Sequence, residues 1–319
     1  MLKDNFGREI TYLRFSVTQR CNFNCVYCHS YNNNVSSEPS LDDIAFIVNV
    51  FSSLGFRKIR ITGGEPLVRN DIVDIVRVVK QAKFDEIVMT TNGYRLYQIA
   101  KDLKDAGLDR INISLDSLDR STFLSITSLD KFDDVYKGLS EAISVGFNPV
   151  KINTVLLRGI NESDILPLVE MTKDKDLIVR FIELMPVKGN SFFDEYFLSY
   201  RDAIKIIESK YKLEKHPTPW HEVARYYKII GFKGLIGFIT SVSQHFCNNC
   251  NRLRLTSTFK IFPCLFSSEY VSIKDAVLHR DEKLLKDLIM KSINIKQLAH
   301  GEIKVGTKEF IENMQELGG

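Results

Sequence analysis

Three cysteines within eight residues, Cys21, Cys25 and Cys28, carry the clearest chemistry in the chain. They stand in Arg20-Cys-Asn-Phe-Asn-Cys-Val-Tyr-Cys-His29 at C-x3-C-x2-C spacing, just after the apolar-rich run Tyr12 to Val17. Thiolates this close in one loop can hold three corners of an iron–sulfur cubane, which usually has four cysteine ligands. Three ligands leave one iron without a protein donor, and an open coordination position is where a metal centre does chemistry. Tyr27, between the last two cysteines, lies close to whatever binds that iron. The same residues also read as a zinc knot completed by His29, although zinc motifs favour C-x2-C or C-x4-C pairs with a distant second pair.

The other cysteines form a second triad, Cys247, Cys250 and Cys264, so all six fall in two groups and none is scattered in the core. A disulfide framework does not suit a chain of 319 residues with no secretion signal. Two triads suggest two similar metal centres. The formal net charge of +3 does not argue for nucleic-acid binding, and a hydrophobic fraction of 44% with 26% charged residues is ordinary for a globular protein. The N-terminus has no apolar core of a signal peptide, and no run of about 18 apolar residues exists. The expectation is a soluble cytoplasmic enzyme with no membrane and no nucleic-acid partner.

Alternating strand and helix signals position these residues. Strand-like runs fall at 12–17, 57–62, 86–91, 110–115, 150–157 and 177–184, with helical patterns at 40–54, 71–83, 94–106, 131–146 and 161–173. Ser40-Leu-Asp-Asp43 reads as a capping box, Asp71 as a further N-cap, and Gly55, Gly107 and Gly146 as helix stops. Six repeated β-then-α units imply an α/β fold with a parallel sheet, a partial barrel of the TIM type, since a full one needs eight. The division expected is a core over 1–186 and a C-terminal region over 187–319 that packs across the open side. Within the latter, 223–242 reads as a glycine-punctuated hairpin and 272–291 as two helices.

Strands covered by helices on both faces usually read as continuous apolar runs. These alternate instead: Leu13, Phe15 and Val17 with Arg14, Ser16 and Thr18; Ile59 and Ile61 with Lys58, Arg60 and Thr62; Ile111, Ile113 and Leu115 with Asn112, Ser114 and Asp116; Ile152 with Lys151 and Asn153. The apolar set must meet the helices, so the polar set points into the barrel. Several inward cations are costly in a dry, unpaired lumen and unremarkable in a wet one that holds a polyanion. Arg180 is a further basic candidate. It differs in strand parity from Glu183 and Met185, so a regular strand cannot turn all three inward.

The cysteine motif, with an aromatic before its last cysteine, resembles the signature of the radical S-adenosylmethionine enzymes. So does Thr62-Gly-Gly-Glu-Pro66 at the end of the second strand. Ser16-Val-Thr-Gln-Arg-Cys-Asn-Phe23, Arg60-Ile-Thr-Gly-Gly-Glu-Pro66 and the second triad with Arg252 and Arg254 are similar to one branch, the GTP 3′,8-cyclases of molybdenum-cofactor biosynthesis. The resemblance implies a lyase that converts GTP to (8S)-3′,8-cyclo-7,8-dihydroguanosine 5′-triphosphate. It implies two [4Fe–4S] clusters, one on Cys21, Cys25 and Cys28 and one on Cys247, Cys250 and Cys264. It implies S-adenosylmethionine contacts at Tyr27, Gly64, Ser114 and Met185, and GTP contacts at Arg14, Arg60, Thr91, Lys151, Arg252 and Arg254. A reducing electron donor, a homodimer and a downstream pyranopterin-forming enzyme are implied partners. The terminal Gly318-Gly319 resembles a tail that reaches in beside GTP. Two other readings remain: a peptide-modifying radical enzyme with an auxiliary cluster, which needs no converging cations, and a zinc-stabilised nucleic-acid binder, which needs a basic surface stripe.

Overall fold

A strand turns successive side chains to opposite faces, and the apolar partners of each alternation here converge on one core. Leu13, Phe15, Ile59, Ile61, Ile111, Ile113 and Ile152 lie in a single cluster with the inner faces of the helices. The structure, a computed structural model, describes residues 2–28, 38–218, 222–244, 246–301, 303, 311 and 314–318. His29, Pro219, Trp220 and Gly319 lie outside the described residues.

The strands are β1 (Tyr12–Ser16), β2 (Lys58–Thr62), β3 (Glu86–Thr91), β4 (Arg110–Ser114), β5 (Val150–Leu156), β6 (Leu177–Glu183), β7 (Leu213–Lys215), β8 (Ala224–Ile229), β9 (Leu235–Ile239), β10 (Arg252–Leu255), β11 (Lys260–Phe262) and β12 (Val271–Ser272). The helices are α1 (Leu41–Ser53), α2 (Ile72–Gln81), α3 (Leu96–Asp105), α4 (Arg120–Thr127), α5 (Phe132–Ser144), α6 (Ile165–Glu170), α7 (Phe192–Tyr196), α8 (Tyr200–Glu208), α9 (Lys274–Leu278), α10 (Glu282–Asn294) and α11 (Met314–Leu317). The six βα units stand where the sequence puts them. Helix α4, inside the β4–α5 connection, escapes the sequence reading.

Local signals explain several boundaries. Ser40 and Asp43 form both halves of a capping box on α1. Asp71 stands at the N-cap position of α2 but makes no cap hydrogen bond, contrary to expectation. Its carboxylate is taken by Arg69 in a two-pronged pair at 2.8 and 2.6 Å, the stronger interaction available to it. Gly55, Gly107 and Gly146 have φ of +91°, +103° and +84°, the left-handed geometry that ends a helix.

The sheet is larger than six strands. Its order is β12-β11-β10-β1-β2-β3-β4-β5-β6-β9-β8-β7, and every pairing from β10 through to β9 is parallel. The C-terminal region thus extends the parallel sheet at both edges, with β10 on β1 and β9 on β6. The barrel stays open because each new edge is already used: β9 pairs antiparallel with β8, and β10 with β11. The connection from β9 to β10 spans the gap between the two edges, and it carries Cys247 and Cys250. That is how the C-terminal region meets the open side. No helix among the described residues is long and apolar enough to cross a membrane.

The seam between β6 and β9 begins at Gly234, where an added Cβ would lie 2.1 Å from the carbonyl oxygen of Leu177. Backbone cannot yield as a side chain can, so Gly234→Ala is expected to lower stability by roughly 1–3 kcal/mol, the usual cost of overpacking. Chemical denaturation measures it; an unchanged midpoint would show that β9 shifts freely along β6.

Candidate active site

The inward face of the sheet builds two adjoining cavities. One is lined by Cys21, Cys25, Tyr27, Cys28, Gly63, Gly64, Glu65, Thr91, Ser114, Asp116 and Met185, among others, and measures about 1020 Å³ including its mouth. The second, about 1000 Å³, is lined by Arg14, Arg60, Arg180, Arg252, Arg254, Cys247, Cys250 and Cys264 with others. Thr90, Asn153, Ile182 and Met185 line both. The cavity of the first triad and the cavity of the second therefore share a wall.

The first cavity is framed by close backbone packing. Gly64 N–H donates to Thr18 O and Glu65 N–H to Arg20 O, both at 2.9 Å. An added Cβ at Gly63 would come within 2.7 Å of Thr18 O, and at Gly64 within 2.6 Å of Arg20 O. The glycine pair is thus required first by the approach of the cysteine loop. Glu65 is sealed beneath and accepts from Thr91 Oγ1, Asn92 N and Leu67 N; burial pushes its carboxyl up to about 7 against those three donors. Tyr27 donates its hydroxyl to Asp116 at 2.6 Å, and Val155 N–H donates to the same carboxylate. Burial holds Asp116 up to about 6.

The two triads differ electrostatically. Burial raises Cys21 to about 11, and burial with the neighbouring Cys21 raises Cys28 to about 12. Cys25 is also pushed up, by burial and then by Cys28 and Asp116. Thiolates in that setting need a cationic partner, which iron supplies. Around the second triad, burial also opposes ionisation of Cys250, but Lys296 and Arg252 bring it down to about 7. Lys296 is buried and donates to Pro263 O and Arg252 O, pinning the loops of Cys264 and Cys250. Arg8 donates to Cys247 O at 2.7 Å and is itself held by Asp4. Neither Lys296 nor Arg8 stands near a triad in sequence, and no sequence signal marked them. Among the described residues, no three His, Cys, Asp or Glu side chains converge as ligands of a single ion do. In a cubane each thiolate binds its own iron, so both donor sets fit a cluster.

The second cavity is strongly cationic. Arg60, Arg180, Arg252 and Arg254 line it, and none of these pairs with a carboxylate among the described residues. Neutral groups hold Arg60, Arg180 and Arg254 instead, and Arg252 lies over the rings of Tyr12 and Phe246. Arg60 donates to Thr90 Oγ1 at 2.8 Å, and Arg180 donates twice to Asn153 Oδ1. With its amide oxygen turned toward them, Asn112 bridges Arg60 and Arg180 at 3.2 and 3.0 Å. The Nε of Arg252 is buried without a hydrogen-bond partner. Burial first, then the neighbouring Arg252, brings Arg254 down to about 10. Burial and the facing Arg254 likewise lower Arg14 well below its ordinary value.

Two site residues are placed differently from expectation. Thr91, expected among the GTP contacts with the cations, lies on the first cavity with its hydroxyl given to Glu65; Thr90, of opposite parity, faces the cations. Lys151 points inward but away from both cavities, against Glu222 at 3.4 Å and Tyr226 Oη at 3.2 Å. The parity conflict on β6 resolves because the strand ends at Glu183. Arg180 faces the lumen, and Met185 lies beyond the strand and reaches both cavities. Glu183, at the strand's end, lines the first cavity, and its buried carboxylate accepts from Tyr200 N, Val242 N and Ser243 N. Tyr12, which the sequence reading passed over, sits among the cations, with its hydroxyl bonded to Arg60.

Comparison with known proteins fits this geometry. Residues 15–172 match the radical SAM superfamily, and residues 177–302 match the Molybdenum Cofactor Synthesis C family. The GTP 3′,8-cyclase of Petrotoga mobilis is 39% identical, and the match covers 99% of each chain. The chain belongs to the GTP 3′,8-cyclase family. Molybdenum cofactor biosynthesis protein moc-5 of Caenorhabditis elegans is 41% identical over 96% of this chain, which spans 52% of that longer protein. In fold, the chain is similar to Streptococcus suis SuiB, with a TM-score of 0.64 over 97% of this chain and 77% of that one, at 15% identity.

The described end of the chain, Met314 to Gly318, lies against the lumen cations. Gly318 O accepts from Arg14 Nη2 at 3.0 Å and from Arg254 Nη1 at 2.8 Å. Glu316 accepts from Lys260 and Thr258, and Leu317 is buried. Gly318 has φ of +70°, and an added Cβ would lie 2.3 Å from Thr62 Cγ2. Gly318→Ala is therefore expected to unseat the tail and speed its removal by carboxypeptidase, while global stability changes by no more than about 1 kcal/mol. Equal digestion rates for the variant and wild type would mean the tail does not depend on this seat.

Proposed function

We propose that this chain is a GTP 3′,8-cyclase that uses two [4Fe–4S] clusters and S-adenosylmethionine. The observation that carries the reading is the cavity in which the guanidiniums of Arg60, Arg180, Arg252 and Arg254 meet with no carboxylate partner among the described residues, between the two cysteine triads. Buried positive charge at this density is costly unless an anion joins it, and a triphosphate answers several guanidiniums at once. A peptide substrate leaves that charge without a partner, and a surface nucleic-acid binder gives no reason to bury it.

Cys21, Cys25 and Cys28 would hold a cluster that, when bound, would supply the electron for reductive cleavage of S-adenosylmethionine, and so the radical chemistry that would join C3′ of GTP to C8. The chain's own part is to bind, aim and enclose. In this reading Tyr27, Gly64, Ser114 and Met185 hold S-adenosylmethionine over Cys21, Cys25 and Cys28. Arg14, Arg60, Arg252 and Arg254, joined by Arg180, hold the triphosphate. Lys151 reaches it by exchanging Glu222 for phosphate. Thr91 acts from the S-adenosylmethionine side, and Thr90 takes its place at the nucleotide. The second triad carries the cluster that the guanine meets. The shared wall of Thr90, Asn153, Ile182 and Met185 supports this reading, since radical transfer needs near contact of the two reactants. By family resemblance the enzyme is a cytoplasmic homodimer that takes electrons from a reducing donor and hands its product to a pyranopterin-forming enzyme.

Reconstituted protein is expected to hold about eight irons per chain, four in each cluster. Cys264→Ala should abolish GTP cyclisation while reductive cleavage of S-adenosylmethionine persists; cyclisation at the wild-type rate would remove the second cluster from the reaction. Arg60→Ala should raise the GTP dissociation constant roughly 10- to 150-fold, the equivalent of about 1.5–3 kcal/mol for a charged contact, and change S-adenosylmethionine binding far less. Equal losses for both ligands would point to damaged folding.

A further inference from the structure

Tyr12 occupies the hub of the cation cluster. On β1 it stands opposite Arg252 of β10 on one side and Lys58 of β2 on the other. Its hydroxyl bonds to Arg60 Nε at 2.5 Å. Lys58, Arg252 and Arg60 lie 5.2, 5.6 and 5.9 Å from its ring centroid, within cation–π range. One buried side chain thus touches three of the basic groups that meet at the lumen, from both flanking strands.

We propose that Tyr12 positions the phosphate-binding cations and serves as their internal counter-charge, so that arrival of the triphosphate displaces that charge and draws one proton from solvent onto the phenol oxygen. The proposal rests on the cyclase reading for the identity of the polyanion. Its charge balance is simple: the phenolate oxygen gains a proton, and no other bond changes.

The surroundings favour this assignment from every side. Arg14 lies on Tyr12's own strand, Lys58 and Arg60 on β2, Arg252 and Arg254 on β10, and Arg180 on β6. Of the carboxylates, Glu86 on β3 is engaged by Lys58 and Arg110, and Glu222 by Lys151. Glu9 and Arg57 share the basal opening of the lumen with Tyr12. Burial raises the phenol, but Arg60, Arg14, Lys58 and Arg252 together bring it down to about 7. The sign follows directly. Without a bound polyanion the phenolate dominates above about pH 7; phosphates beside the same guanidiniums oppose it and return the phenol toward its ordinary value near 10. Binding then takes up a proton between those values, and GTP affinity falls by as much as about tenfold per pH unit there. Lys151, lowered to about 8 by burial and Arg180, takes up a proton by the same logic, so the part due to Tyr12 must be read by difference.

The test is calorimetric titration of anaerobic holoenzyme with GTP near pH 8, in buffers of differing ionisation enthalpy, for wild type and Tyr12→Phe. Phenylalanine keeps the ring and its cation–π contacts and loses the charge. Wild type should take up more protons per nucleotide than the variant, and the variant should bind GTP more tightly than wild type above pH 8 but not below pH 7. A merely structural role gives no such crossing. In wild type alone, the tyrosinate band in the near ultraviolet should fade as GTP is added, which tests the proposal even if the variant folds poorly. Equal proton uptake with parallel pH profiles, or a tyrosinate band that GTP does not alter, overturns it. Inorganic tripolyphosphate in the same titrations separates the two readings. If it reproduces the difference and GTP does not bind, the Tyr12 role stands and the cyclase reading falls; if neither binds wild type, both fall.

Discussion

Inward positive charge that meets no carboxylate partner among the described residues is the constraint on which the rest of this structure depends. Guanidinium groups are costly to remove from water, and a carboxylate partner is the common remedy. Here Arg60, Arg180 and Arg254 are held by a threonine hydroxyl, two asparagine amides and backbone carbonyls, while Arg252 lies over the rings of Tyr12 and Phe246. Such partners fix geometry without cancelling charge. The cluster stays attractive to an anion and already arranged for one, which is what preorganisation means for binding. The apolar half of each strand meets the cost, since Leu13, Phe15, Ile59, Ile61 and Ile152 anchor the same strands in a continuous core.

The open barrel makes that cavity possible. Closure would bring β9 against β10 and fill the lumen with side chains, as in a packed barrel. Pairing with β8 and β11 uses both edges, and the segment that crosses the gap carries two of the three cysteines of the second triad. One topological decision thus keeps the lumen open and sets the loop of Cys247 and Cys250 over it. The triads then diverge in setting. The first is buried with carboxylates nearby, so its thiols resist ionisation; in the second, Lys296 and Arg252 favour the thiolate of Cys250, while burial raises Cys247.

The C-terminal tail draws on the same cations. Arg14 and Arg254 both donate to the Gly318 carbonyl, so the chain's end and a phosphate are candidates for the same donors. Only glycine tolerates the left-handed backbone and the contact with Thr62 at this point.

The sequence by itself determined the chemistry and the frame. Cysteine spacing named the two triads, and strand alternation told which cations face inward, because side-chain direction along a strand is a local property with period two. That logic reached Arg14, Arg60 and Lys151, and it posed the conflict between Arg180 and Glu183; Arg252 and Arg254 were named by the family resemblance alone. The tertiary structure decided what depends on partners distant in sequence. It turned Thr91 toward Glu65 and Thr90 toward the cations, paired Lys151 with Glu222, and brought Lys296 and Arg8 to the second triad. It also drew Asp71 from its helix cap to Arg69, since the ion pair is the stronger competitor. Tyr12 shows the difference most clearly: in sequence it is one more aromatic at the start of a strand, and only the register of β10, β1 and β2 surrounds it with positive charge.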